Sequence, residues 1–380
     1  MYTCPTYWNG RFTVICKKNI WISVALTLLL GSACRNAEDQ SEQINILPIT
    51  PEQRELLLAM RDLILPLSRK AKSGIAAKDA PPSDTDDGDF DSLLFAGLLC
   101  FSGENDQCDA VKRSQSFEGR MWRSPERAEK RIYVKEEGHT FSRDMGMGVM
   151  AYLVKTRDGV LATRWRDYIL TNKKRHPLDV TNSGAYFSPY WFCTEYPNIK
   201  VLTAEAVDDR CNMTAQFATL FNSVWKFMFG SGDSVLLERT AESPFDYWEM
   251  ESLSVRTSPV DYNLHLRAVG LMLWKEMDSK NYLDHGKVYK LFAERDPENP
   301  FFQYLGGNHF MAANAVLGLV TGAISKGVWP LPDGRLFNHY RYVWTFERHE
   351  LSRTVATTTF WEYVFLINLL VRDYDRAYLF

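Results

Sequence analysis

The sequence has no excess of basic charge, because its 44 Lys and Arg residues are matched by 47 Asp and Glu and the formal net charge is −3. Nucleic-acid-binding proteins usually carry a basic excess, so we predict no nucleic-acid partner. The sequence also lacks Gly-x-Gly-x-x-Gly, Gly-x-x-x-x-Gly-Lys-Ser/Thr, Gly-x-Ser-x-Gly and His-Glu-x-x-His, which mark dinucleotide sites, P-loops, serine hydrolases and zinc peptidases. It has no Cys-x-x-Cys pair either. We therefore predict neither a cofactor nor a bound metal.

What the sequence does contain is enough apolar material for a large core. Hydrophobic residues make up 46% of the 380 positions, and aromatic residues make up 13%. Such a composition excludes a disordered or fibrous protein and a small scaffold held together by disulfides. We expect one soluble body, acting as a monomer.

The first 33 residues have the pattern of an export signal. Arg11, Lys17 and Lys18 precede an apolar run from Ile20 to Leu30, which is too short to cross a bilayer of about 30 Å as a helix. Gly31-Ser-Ala-Cys34 then resembles the lipobox of bacterial lipoproteins, with Gly31 where an aliphatic residue is usual. The resemblance implies a signal peptide over 1–33, lipid on Cys34 and a flexible tether over 34–50. It also implies attachment to the outer rather than the inner membrane, because position 35 is not Asp. An ordinary cleaved signal peptide and an uncleaved anchor are the alternatives.

The seven cysteines divide according to this prediction. Cys4 and Cys16 belong to the signal, Cys34 would carry lipid, and four remain. Because an exported protein reaches an oxidising compartment, we predict the disulfides Cys100–Cys108 and Cys193–Cys211, each closing a loop that leads into a helix. Buried free thiols are the alternative.

Apolar residues at helical spacing predict a body made of helices. A leading helix is expected over 51–72, followed by an acidic loop over 73–91 whose segment 84–91 shares only its acidity with a calcium loop. Short strands are expected only near 131–134 and 328–343. Further helices are predicted over 92–101, 106–114, 143–156, 161–171, 209–229, 260–277, 282–295, 310–324 and 361–370.

This rhythm of helices resembles the (α/α)6 toroid of the six-hairpin glycosidase-like class. The resemblance covers residues 88–380 and includes loops with Phe141-Ser-Arg-Asp144-Met-Gly-Met-Gly and Glu118-Gly-Arg-Met-Trp122-Arg-Ser-Pro125. It implies an all-α barrel of paired antiparallel helices within a single domain over 51–380, with a site where the loops between hairpins converge. A plain helical bundle is the alternative.

Three acids are candidates for catalysis. Asp144 follows the possible N-cap Ser142 at the start of an apolar helix, where the helix dipole favours an ionised carboxylate. Glu347 lies among Trp, Phe, Arg and His, and Glu104 lies on the loop that the first disulfide would hold. Each has a structural alternative: a carboxylate that stabilises a helix start for Asp144 and Glu104, and a Glu–Arg pair for Glu347.

Arginine, tryptophan and histidine residues supply candidates for substrate binding, because guanidinium groups bind carboxylates or sulfates and indole rings stack on sugars. The indole rings are equally typical of a helical core, and a single His is more often structural. The binding candidates are Arg120, Trp122, Arg123, Arg143, His265, His309, Arg348 and His349.

The sequence thus predicts an exported, membrane-anchored lipoprotein that acts on polysaccharide. The first hypothesis is a glycoside hydrolase with paired carboxylates. A polysaccharide lyase of the same architecture, with His309 and Tyr340 as candidate bases, is one alternative. A non-catalytic surface protein that binds glycans or another partner is the other.

Overall fold

The computed structural model describes residues 44–68, 70–76, 92–130, 141–171, 215–233, 252, 255–257, 262–278, 285–325 and 361–378. The regular elements of this part are helices, and its only extended pairings are three isolated β-bridges. The all-α class predicted from the sequence is therefore confirmed. The predicted strands at 131–134 and 328–343 lie outside the described residues.

Twelve α-helices follow one another in the described part of the chain, and several match their predicted bounds. They are α1 (Pro51–Ile64), α2 (Ser92–Ser102), α3 (Asn105–Arg113), α4 (Pro125–Lys130), α5 (Arg143–Thr156), α6 (Gly159–Thr171), α7 (Ala215–Phe229), α8 (Tyr262–Met277), α9 (Gly286–Arg295), α10 (Pro300–Leu305), α11 (His309–Ser325) and α12 (Trp361–Tyr378). Helix α5 has the predicted ends, whereas α12 continues beyond the predicted residue 370. The short helices α4 and α10 were not predicted.

The chain enters the body through a docked segment rather than a free tether. Residues 44–50, expected to belong to the tether, bury Ile44 and Ile49. The amide of Leu47 donates to the carbonyl of Gly307 at 2.8 Å, and the amide of Phe310 donates to the carbonyl of Leu47 at 3.1 Å. Burial of two isoleucines and these backbone hydrogen bonds hold residues 44–50 against the body.

Helix α1 begins at a capping box and ends before its predicted last residue. Thr50 and Gln53 form a capping box, in which each side chain accepts a hydrogen bond from the other residue's amide. The α-helix ends at Ile64, and a 3-10 turn covers Leu65–Leu67, because Pro66 cannot donate to a helical carbonyl. The leading helix is therefore shorter than the predicted 51–72.

Helices α2 and α5 form the centre of the core. All residues of α2 are buried, as are those of α5 from Asp144 to Val154. They touch at two glycines. A Cβ on Gly97 would lie 1.9 Å from the Gly148 carbonyl oxygen, and one on Gly148 would lie 2.3 Å from the Leu93 carbonyl oxygen. Only glycine at both positions allows the two backbones to approach so closely.

Several core helices run in the same direction, as shown by contacts between their C-terminal parts. Lys275 of α8 pairs with Asp373 of α12 at 3.2 Å, and Tyr304 of α10 donates to the same carboxylate at 2.8 Å. Arg372 of α12 lies over the ring of Phe101 at the end of α2, 4.9 Å from its centroid. Burial and the positive charge of Arg372 both lower the pKa of Lys155 at the end of α5. The end of α5 therefore also lies near Arg372.

Contacts near the helix starts agree with this direction. Phe301 of α10 lies beside His265 of α8 and Phe365 of α12, at ring-centroid distances of 5.8 and 5.6 Å. A Cβ on Gly270 of α8 would lie 3.3 Å from Met147 of α5. Helix α7 follows α5 in parallel, because its start packs on Gly146 and its end packs beside Arg157.

Other helices return in the opposite direction on the outside of this set. Arg54 and Arg61 of α1 bind Asp375 and Asn368 of α12, both at 2.7 Å, so these two helices are antiparallel. Tyr289 of α9 donates to the Leu271 carbonyl of α8 at 3.0 Å. Arg295, at the end of α9, donates to the carbonyl of Arg256, which precedes the start of α8, at 2.8 Å. Two residues connect α5 to α6, and three residues connect α10 to α11.

A disulfide closes the turn between α2 and α3. The sulfur atoms of Cys100 and Cys108 are 2.07 Å apart, and this is the pair predicted from the sequence. Gly103 lies in the turn with φ of 130°, a conformation that side chains disfavour. The predicted pair Cys193–Cys211 lies outside the described residues.

None of the helices that the structure describes combines the length and apolar character needed to span a bilayer.

Candidate functional site

Buried polar residues begin four of the parallel helices. Ser92 opens α2, Asp144 lies in the first turn of α5, His265 in that of α8, and Glu362 in that of α12. The helix starts lie at similar positions along the common direction of the helices. Met147 lies beside Gly270, and Phe301 lies between His265 and Phe365. We call Asp144, His265 and Glu362 the start cluster, a name for the end of the helix set that they share rather than for direct contact among them.

Asp144, a predicted catalytic acid, lies in the first turn of α5, which is the position expected from the sequence. Its first-turn position and its 9% exposure put a carboxylate close to the positive end of a core helix. Ser142 occupies the N-cap position, but its side chain makes no capping hydrogen bond to an amide. Its hydroxyl donates instead to Oδ1 of Asp144. Because the hydroxyl holds the carboxylate rather than the helix end, Ser142 fixes the direction in which Asp144 points. Arg143 precedes Asp144 and is partly exposed.

His265 is buried beside an aromatic ring, and this environment sets its charge. Burial lowers the pKa of His265 to about 3, because the imidazolium form loses its hydration. The side chain is therefore neutral near pH 7, where it can form hydrogen bonds but cannot attract a carboxylate by charge.

Glu362 was not predicted as a site residue. It is 3% exposed and is the second residue of α12. The signal that singled out Asp144, an acid in the first turn of an apolar helix, is also present in Trp361-Glu-Tyr-Val-Phe-Leu-Ile367. Applied consistently, that signal would have found both buried acids of the start cluster.

The predicted binding loop with Arg120, Trp122 and Arg123 is buried, and the residues just before it contact α6. Its backbone forms a hairpin, in which the Ser116 amide donates to the Arg120 carbonyl at 2.8 Å. Arg164 of α6 donates to the Ser116 carbonyl, also at 2.8 Å. The guanidinium of Arg120 covers the indole of Trp122 at 4.0 Å from the centroid, and Trp122 is only 1% exposed. The indole therefore contributes a cation–π contact rather than an open face for a sugar.

Glu104, the reserve acid, is placed by contacts with α1 and α12. Arg61 donates to its Oε1 at 2.7 Å, and Asn368 donates to the same oxygen at 2.8 Å. Helix α5 packs against α2, α3, α7 and α8. Its Gly148 faces Leu93 near the start of α2, whereas Glu104 follows the last residue of α2. Glu104 and the first-turn Asp144 therefore lie toward opposite ends of the α2–α5 pair, and the contacts of Glu104 join three helices.

His309 lies at the opposite end of the parallel helices from the start cluster. Its ring stacks on Tyr304 at 4.8 Å, and burial, reinforced by the charge of Lys275, lowers the pKa of His309 to about 3. Ten residues of α8 separate His265 from Lys275, which corresponds to about 15 Å along a helix. His309 is therefore not part of the start cluster.

The same end contains a buried charged network that sequence reasoning missed. Tyr304, Lys275 and Arg372 surround Asp373, and Arg372 also pairs with Glu276 at 3.2 Å. Burial works to raise the pKa of Asp373, but the charges of Lys275 and Arg372 lower it on balance. Burial lowers the pKa of Lys275 despite the carboxylate. The paired charges join α8, α10 and α12 at this end of the helix set.

Several predicted residues lie outside the described residues, namely Cys34, Tyr340, Glu347, Arg348 and His349.

No group of three or more His, Cys, Asp or Glu side chains suited to a metal occurs in the part of the chain that the structure describes. No protein-family model matches the chain, and no match was found among curated proteins or solved structures.

Proposed function

We propose that the body is an (α/α)6-type toroid. Support comes from six parallel described helices, α2, α5, α7, α8, α10 and α12. The pairs α2–α5, α5–α7, α7–α8, α8–α10 and α12–α2 pack together, and α5 also packs directly on α8. Phe301–Phe365 and Tyr304–Asp373 provide the link between α10 and α12, and α12 packs on α2. Helices α1, α6, α9 and α11 return on the outside, as the second helices of hairpins do.

We further propose that the protein is exported and held in the cell envelope by lipid on Cys34. The signal-like segment and the lipobox-like Gly31-Ser-Ala-Cys34 support this proposal. The Cys100–Cys108 disulfide supports it independently, because such bonds persist in oxidising compartments.

For the activity, we propose action on polysaccharide as a glycoside hydrolase, with Asp144 and Glu362 as the acids and Glu347 as a further candidate. The observation that carries this proposal is the placement of two buried acids at the starts of parallel helices in one circuit. Glycoside hydrolysis needs two carboxyl groups on either side of the scissile bond. Ser142 orients one of them, and His265 is neutral at the same end of the helix set.

The test is a screen of the purified full chain against a panel of polysaccharides, followed by variants on any substrate that is cleaved. Asp144→Asn and Glu362→Gln should each lower kcat by about 10²- to 10⁴-fold with little change in Tm. Glu104→Gln is the matched control, because it removes a buried carboxylate that we assign to structure. It should lower Tm and leave kcat unchanged. Equal activity of Asp144→Asn and wild type would contradict the assignment.

A second candidate is a non-catalytic protein that binds glycans or another partner. The near-complete burial of Asp144 and Glu362 favours it, because a substrate must reach both acids. Binding of a polysaccharide without release of reducing ends, in wild type and both variants, would select this candidate. The lyase alternative is not favoured with His309 as its base, because that residue lies beside Tyr304 and the charged network, away from Asp144 and Glu362.

A further inference from the structure

An uncharged apolar surface lies where the chain enters the body. Ile46 and Leu47 are 40% and 48% exposed, and Phe310 and Met311 are 39% and 49% exposed. The backbone of Leu47 is hydrogen-bonded to Gly307 and Phe310, so the two pairs of side chains are neighbours. We call these four residues the entry surface.

Helix α11 extends this surface. It contains no Lys, Arg, Asp or Glu from His309 to Ser325, and the segment 44–50 contains none either. Beyond Met311 the exposed positions of α11 include Asn314, Gly318 and Thr321, which follow one another at three- and four-residue spacing along one side of the helix. A Cβ on Gly318 would meet nothing within 4 Å. An outer helix usually presents charged residues to water, and this one presents apolar, small and uncharged residues.

The proposed lipid anchor is Cys34. It lies ten residues before Ile44, which is buried against the body just ahead of the entry surface. Ten residues extend to about 35 Å at most and have a typical end-to-end distance of about 18 Å when flexible. A lipid on Cys34 would thus keep the entry surface within a short distance of the leaflet that holds the anchor. Tethering raises the effective concentration of the bilayer to a level at which a weak apolar contact is populated.

We propose that the entry surface docks on the phospholipid leaflet that holds the lipid anchor, an inference that rests on the proposed lipidation of Cys34. Phe310, Met311, Ile46 and Leu47 enter the boundary between headgroups and acyl chains, as the apolar face of an interfacial helix does. Docking of this kind fixes the orientation of the body, with the charged network end toward the membrane and the start cluster away from it, since α11 begins beside Tyr304.

The test uses the full chain in the membranes of the cells that export it, with the photoreactive analogue benzoylphenylalanine in place of Phe310 or of Phe117. Phe117 is the matched control, because it is 91% exposed and lies on the loop before α4. Illumination should give more phospholipid adduct at position 310 than at position 117, which is the reverse of the order that exposure alone produces.

A second comparison keeps the inference testable if the analogue disturbs α11. Leu47→Glu with Met311→Glu should abolish the phospholipid adduct at position 310. Phe117→Glu with Val160→Glu adds the same charge at exposed positions elsewhere and should preserve it. In both pairs one of the glutamates lies in the first turn of a helix, where an acid is tolerated.

Adducts of position 310 with protein, or no excess over position 117, would overturn the docking inference. The mass of the mature N-terminal peptide reports acylation of Cys34 separately. Acylated Cys34 without phospholipid adducts leaves the anchor standing and removes the docking surface. Unmodified Cys34 removes the lipid anchor, whatever the crosslinking shows.

Discussion

At the scale of single residues, the charged network illustrates how burial makes a side chain depend on its partner. Lys275 and Asp373 have side-chain exposures of 14% and 15%, so neither charge is well hydrated. Removing one partner from such a pair leaves the other charge without compensation, which costs more than the pair itself contributes.

We expect Asp373→Asn to lower the free energy of unfolding by about 3–5 kcal/mol, the range for breaking a buried pair. Denaturation in urea at pH 7 measures the change. The double variant Lys275→Met with Asp373→Asn is the control, because it removes both charges of the pair while Arg372 keeps Glu276. It should be more stable than the single variant. A double variant less stable than Asp373→Asn would show that Lys275 is held by other groups.

His265 gives a pH dependence with a definite sign. Its folded-state pKa, about 3, lies below the unfolded value of about 6.5, so the unfolded chain binds the proton more readily between these values. Stability should therefore be complete above about pH 6.5 and fall as the pH decreases toward 3. His265→Leu should reduce the slope of unfolding free energy against pH by about 1.4 kcal/mol per unit between pH 4 and 6. Equal slopes would show that folding does not depress the pKa.

Residue types alone could place Asp144 at a helix start but could not assign the partners of the predicted acids. Glu104 and Asp144 both follow loops and precede helices in the sequence. The structure separates them, because Glu104 meets Arg61 and Asn368 from distant parts of the chain, whereas Asp144 meets its sequence neighbour Ser142. Local interactions of this second kind can be predicted from spacing, and contacts between distant segments cannot.

At the scale of helices, the Gly97–Gly148 contact sets the distance between α2 and α5. Both helices are apolar on every side, so their periodicity could not indicate which faces meet. The glycines show it, because they are the positions where a side chain would collide with the opposite backbone.

Gly148→Ala should destabilise the protein by about 1–3 kcal/mol or more, as expected for overpacking a core, because its Cβ would lie 2.3 Å from a carbonyl oxygen. Gly318→Ala in α11 is the matched control, since its Cβ meets nothing. That change should stabilise by about 0.4–1 kcal/mol through a better helix propensity and a less flexible unfolded chain. Thermal unfolding of both variants measures the difference. If both glycines behaved alike, close packing at Gly148 would be excluded.

The helix ends show which elements could be predicted from the sequence. Helix α5 was placed correctly because its apolar run begins at an N-cap and ends at Arg157, which adopts a left-handed conformation. Helix α12 continues past its apolar run because Arg372 and Asp373 are held by α8 and α10. The six-residue helix α10 carries too few positions for periodicity to appear, and its buried rings are fixed by neighbours distant in sequence.

At the scale of the whole molecule, the proposed circuit joins the two ends of the described chain. Helix α12 packs against both α1 and α2, and Glu104 holds the three together through Arg61 and Asn368. A closed arrangement has no terminal hairpin that can open by itself. The stability of α12 should therefore be tied to that of α2 and α5 rather than confined to the last segment.

Native-state hydrogen exchange tests this coupling. We expect the slowest amides of α2, α5 and α12 in wild type to exchange with one common free energy of opening. Glu104→Ala should lower all three values equally, by about 1–3 kcal/mol for the loss of a buried, charge-assisted hydrogen-bond acceptor. Arg54→Ala, which removes the more exposed pair with Asp375, should lower them by less than about 1 kcal/mol. If Glu104→Ala reduced protection in α12 and α1 while α2 and α5 kept their wild-type values, the last helix would open independently, and the circuit would not be closed in energetic terms.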